Sequence, residues 1–107
     1  MTAIEISRAL KELPELPSLK SILLAVSKAV QVPGYKLVER GNEGLRPDAR
    51  KVYSYIALML GYTTKDTGCL INRDHSSVVQ YRKIIYDRLQ IKDQQTIEII
   101  IKTLKNL

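Results

Sequence analysis

Apolar residues recur at helical spacing along almost the whole chain, and prolines, glycines and capping residues cut that pattern into segments. Ile4–Leu13 is a short amphipathic stretch, closed by Pro14 and Pro17, which lack the amide donor a helix interior needs. Ser18 is placed to cap a second helix running to about Gln31, with Leu19, Ile22, Leu23, Val26 and Val30 on one face. Pro33-Gly34 ends it. A single turn over Tyr35–Val38 follows. Glu39–Arg46, with two glycines and no apolar period, then reads as a loop.

Pro47 suits the first turn of a third helix, and Asp48 favours its positive end. That helix carries Val52, Tyr55, Ile56, Met59 and Leu60 at helical spacing and stops at Gly61. Thr63, three residues before Asp66, begins a short fourth helix that ends near Leu70-Ile71. Cys69 falls within it, where a small apolar residue is expected to pack. Asp74 caps a fifth helix with Val78, Tyr81, Ile85 and Leu89 as its buried stripe. Asp93 caps a sixth, through Ile97, Ile100, Ile101 and Leu104. Strand alternation, internal repeats and low-complexity runs are absent. The pattern predicts an all-α domain of five to six helices.

Composition narrows this further. At 107 residues and 45% hydrophobic, the chain suits one compact domain and is too apolar for intrinsic disorder. One cysteine excludes an intramolecular disulfide, and one histidine beside it excludes a structural zinc site, so no metal is expected. No stretch approaches the ~20 apolar residues of a membrane span. The opening MTAIEISRALKEL mixes acids among its apolar residues, unlike a signal peptide. These features point to a cytoplasmic domain with no membrane partner.

The formal net charge is +6, and the excess base is central. Residues 1–17 carry two bases and three acids, residues 18–50 six and three, residues 51–92 seven and three, and residues 93–107 two and two. Such a field attracts polyanions and speeds their encounter.

Thr63 to Leu89 is the informative stretch. A short helix, a tight polar turn and a longer helix match a helix-turn-helix, whose second helix enters the DNA major groove by its N-terminal end. Hydrogen-bonding residues should cluster at that end, with bases nearby for phosphates. The turn and helix start read Asn72-Arg73-Asp74-His75-Ser76-Ser77-Val78. Asp74 can accept from a cytosine amino group, His75 and Ser76 can meet base edges, and Arg73 can hold a phosphate. Asp74 is equally an N-cap, and Ser77 is as readily structural as functional.

Arg73-Asp74-His75-Ser76-Ser77-Val78 closely resembles the RDH[ST][ST]V signature of the C-terminal DNA-binding domain of the bacterial chromosomal replication initiator DnaA. Pro47–Val52 resembles the start of that family's long central helix, Ile22–Val38 its opening helices, and Asp93–Leu107 its closing helix. The resemblance spans roughly residues 19–107. It implies a Trp-repressor-like helix-turn-helix domain over residues 18–107, preceded by an extension with a short helix at residues 1–17. It further implies base-reading roles for Asp74, His75 and Ser76. Backbone or phosphate roles follow for Arg73, Ser77, Lys65, Arg50 and Lys51. A loop arginine that enters the minor groove is also implied, with Arg46 and Arg40 as candidates. Three features depart from the family. The Glu39–Arg46 loop pairs two arginines with two glutamates, Asn72 alone stands where many members have two glycines, and Gln80-Tyr81-Arg82-Lys83-Ile84 replaces the usual helix continuation.

The initiators of that family carry an ATPase module, for which this length leaves no room. No GxxxxGK[ST] phosphate loop is present, so no nucleotide or other cofactor is expected. The lone histidine lies six residues from the lone cysteine, with no orienting carboxylate other than Asp74, so no catalytic residues are expected. The expected function is sequence-preferring double-stranded DNA binding by a nucleoid-associated replication accessory or transcription regulator, bacterial or phage. The alternative is a protein-interaction module of the same fold. It would dimerise or bind a partner through residues 1–17 or 93–107, where Ile97, Ile99, Ile100, Ile101 and Leu104 exceed one narrow face.

Overall fold

The computed structural model describes residues 1–107 as seven helices and no strand. They are α1 (Ala3–Lys11), α2 (Leu19–Val30), α3 (Gly34–Val38), α4 (Arg46–Met59), α5 (Thr64–Leu70), α6 (His75–Gln90) and α7 (Gln94–Lys105). The all-α class agrees with the sequence pattern. The helix beyond the expected six is the turn at Tyr35–Val38, which closes into the five-residue α3.

Local chemistry explains where the helices start and stop. The side chains of Thr2, Ser18, Thr63, Asp74 and Asp93 each accept from the amide three residues on, which satisfies a donor that the first helical turn cannot. Four helices end in one motif. Gln31, Gly61, Asn72 and Lys92 take positive φ, and the following amide donates to the carbonyl five residues back. This exit reverses the chain within about two residues, so the next cap follows at once.

The core is organised around α4, which packs against α2 and α6 and touches α3, α5 and α7. Its Val52, Tyr53, Ile56 and Ala57 are fully buried. Helix α7 lies on α2 and sends Ile97, Ile99 and Ile100 inward, which accounts for its broad apolar surface. Residues 1–17 share this core: Ile6 and Leu10 of α1 are buried in it, and the Tyr62 hydroxyl donates to the Pro17 carbonyl at 2.6 Å. Cys69, expected in the core, is exposed. Thr67 and Ile71, four residues apart, take the inner side of α5, and Cys69 lies about 200° round the helix from Thr67. No helix is long and apolar enough to cross a membrane.

Gly68 sets how closely α6 approaches α5. A Cβ there would stand 2.4 Å from the Arg73 carbonyl oxygen and 3.1 Å from Val78 Cγ2. Gly68→Ala should therefore destabilise the domain by about 1–3 kcal/mol in urea unfolding. Gly34→Ala, which meets nothing within 4 Å, should be neutral or stabilising by up to ~1 kcal/mol. Equal effects at the two glycines would contradict this packing.

Candidate nucleic-acid interface

The α5–turn–α6 unit is fastened to α4 at both ends. The buried Tyr53 hydroxyl donates to the Thr67 carbonyl at 2.9 Å, and burial pushes its pKa well above the usual phenol value. Arg88 of α6 donates to Asp48 of α4 at 2.8 Å, and Lys51 Nζ sits 5.7 Å from the centre of the Tyr81 ring. Val78, Ile85 and Leu89 fill the inner side of α6.

Two arginines hold the segment in front of this unit. Arg50 is only 1% exposed, and its guanidinium donates to the carbonyls of Leu37 (2.7 Å), Gly41 (2.7 Å), Glu39 (2.9 Å) and Lys36 (3.3 Å). These carbonyls belong to the end of α3 and the loop after it, where no helical amide follows to satisfy them. Arg73 donates from the turn to Ile71 (3.0 Å), Asn72 (3.1 Å) and Glu39 (3.1 Å). The Glu39 carbonyl thus joins the central helix, the loop and the turn.

The two arginines, expected at the DNA backbone, make their hydrogen bonds within the protein. Arg50 is a buried staple whose donors are on carbonyls, and burial with the nearby charge of Arg73 lowers its pKa. Arg73 is half-buried and braces the turn. Lys51 is half-buried over Tyr81 rather than extended, and its pKa is lowered by burial first and then by Arg88. Arg46 also turns inward. Its side chain is 15% exposed, its guanidinium packs beside Gly41, and Glu43 lies 3.9 Å away. Arg40, the other loop candidate, is exposed and follows the Glu39 carbonyl that Arg73 holds, which sets it beside the turn.

Asp74, His75 and Ser76 stand together and exposed at the start of α6, with Ser77 half-buried behind them. Asp74 Oδ1 accepts from the Ser77 amide at 2.9 Å and from the Ser76 hydroxyl at 2.7 Å. These bonds hold its carboxyl below the usual carboxylate range, the Ser77 amide contributing most. The Ser77 amide and the Ser76 hydroxyl thus share Oδ1, and the Ser77 hydroxyl also stabilises the carboxylate. The Ser76 hydroxyl donates to Asp74 and keeps its own lone pairs as acceptors. Lys65 is exposed in the first turn of α5.

Sequence reasoning passed over the rest of this outward strip. Ser76, Gln80 and Lys83 are exposed at i, i+4 and i+7 on α6. The signal was available: these are the positions opposite the stripe of Val78, Ile85 and Leu89. No group of three His, Cys, Asp or Glu side chains converges as a metal site. No family model matches the chain, and no curated protein compared with it does.

Two outcomes follow from this geometry. Arg50→Lys places one ammonium where four carbonyls need a planar fork, and should cost roughly 2–4 kcal/mol in chemical denaturation. Unchanged stability with weakened DNA binding would return Arg50 to the phosphate role. The Asp74 carboxyl is depressed, so the cap is intact above the unfolded value of ~3.9 and is lost as pH falls through the folded value. The Ser77 amide resonance should therefore titrate with a midpoint below that of a free aspartate, and a midpoint at or above it would contradict the cap.

Proposed function

We propose that this domain binds double-stranded DNA with sequence preference, through the major groove, using the start of α6. The observation that carries the reading is the exposed cluster of Asp74, His75 and Ser76 on a capped helix, held by a turn that two arginines brace. Acceptors in that position suit the exocyclic amino groups of cytosine and adenine, and a neutral imidazole adds one donor and one acceptor. Lys65, Arg40 and Lys83 are the exposed bases around it that suit phosphates. The resemblance of Arg73–Val78 to the DnaA C-terminal domain supports the same reading, and with it a role as a replication accessory or transcription regulator in the nucleoid.

No chemistry beyond binding is assigned to these residues. The terminal helices offer less to the protein-interaction alternative than their sequences suggest, because Ile6, Leu10, Ile97, Ile99 and Ile100 lie in the core.

Fluorescence anisotropy with a replication-initiator box, its scramble and a randomised duplex pool tests the reading. About three phosphate contacts give a slope near −2.7 in log affinity against log salt, so a four-fold rise in salt should weaken binding about 40-fold. His75→Ala should lower affinity for the preferred site about ten-fold and barely change the scramble. Lys65→Ala should weaken both alike. No binding to any duplex at low salt would refute the reading.

A further inference from the structure

We propose that Gln80, one turn beyond the capped start of α6, is a second specificity determinant that reads an adenine; this rests on the DNA-binding reading above. The side chains of the first turn are rich in acceptors and poor in donors. Asp74 Oδ2 accepts only, the Ser76 proton is held by Asp74 at 2.7 Å, and the Ser77 amide is taken by the same carboxylate. The side chains of such a surface recognise amino groups, and His75 alone among them can donate to a purine N7.

Gln80 supplies what is missing. It is exposed, lies four residues from Ser76 and three from Lys83 on the outward strip, and its side chain has no hydrogen-bond partner within the protein. Its neighbours in sequence fix its direction: Val78 is fully buried, and Tyr81 faces α4 under Lys51. A glutamine amide carries two donors and an acceptor on one plane, the pattern that pairs with adenine N7 and N6 together. One helical turn is a rise of about 5.4 Å, and base pairs are stacked about 3.4 Å apart. The adenine read by Gln80 therefore lies within about two steps of the pairs met by His75 and Ser76.

The test is site selection from a randomised duplex pool by the unaltered protein and by Gln80→Ala, followed by anisotropy on the selected and scrambled duplexes. The unaltered protein should select a site with a fixed adenine. Gln80→Ala should lose preference at that pair alone, with affinity for the selected site falling about ten-fold and affinity for the scramble unchanged. A Gln80→Ala protein that selects the same site with the same preference at every pair would overturn the role of Gln80 and leave DNA reading intact. Equal losses on selected and scrambled duplexes would also overturn it, reducing Gln80 to a backbone contact. An unaltered protein that selects no site would remove the DNA reading itself. Alanine is a strong helix former at this exposed position, so the fold should be unaffected.

Discussion

The Arg50 guanidinium is the point on which the front of this domain depends. A charge in the core is costly unless its donors are met, and here four carbonyls of the α3–loop segment meet them. The dependence runs both ways, since the five-residue α3 has too few internal bonds to stand alone. Arg73 extends the same device from the helix-turn-helix, sharing the Glu39 carbonyl with Arg50. The loop, the turn and the central helix are thereby held in one arrangement, and the exposed start of α6 is presented from a fixed base.

Structure and proposed recognition use the same residues at that start. Asp74 caps α6 through Oδ1, orients Ser76, and stays exposed. The turn before it needs only Asn72 in the left-handed region to close, because the Arg73 amide reaches back to the Gly68 carbonyl at 2.9 Å. Gly68 then permits the close approach of α5 and α6 that this short turn demands. A surface held by an aspartate cap is preorganised, which lowers the entropic cost of the proposed recognition.

Much of the helical layout was legible because it is written locally. Ser18, Thr63, Asp74 and Asp93 cap the helices assigned to them, and Val78, Ile85 and Leu89 form the inner stripe of α6. What escaped was decided at long range. Arg50 reads as a surface cation on an amphipathic helix until carbonyls 9 to 14 residues away close over it. The same is true of Arg73, whose partner Glu39 is 34 residues distant. Cys69 was placed inward by its small size, whereas the spacing of Thr67 and Ile71 decides the buried side of α5. The outward strip through Gln80 and Lys83 is implicit in the period of α6 but lies beyond the Arg73–Val78 motif.

The most direct measurement is the amide chemical-shift map of the labelled protein titrated with a short duplex at low salt. The largest changes should fall on Asp74, His75, Ser76 and Gln80, with smaller ones at Lys65, Arg40 and Lys83. Helices α1 and α7 should stay still. Changes concentrated on α1, α2 or α7, or no changes at all, would contradict the proposed recognition.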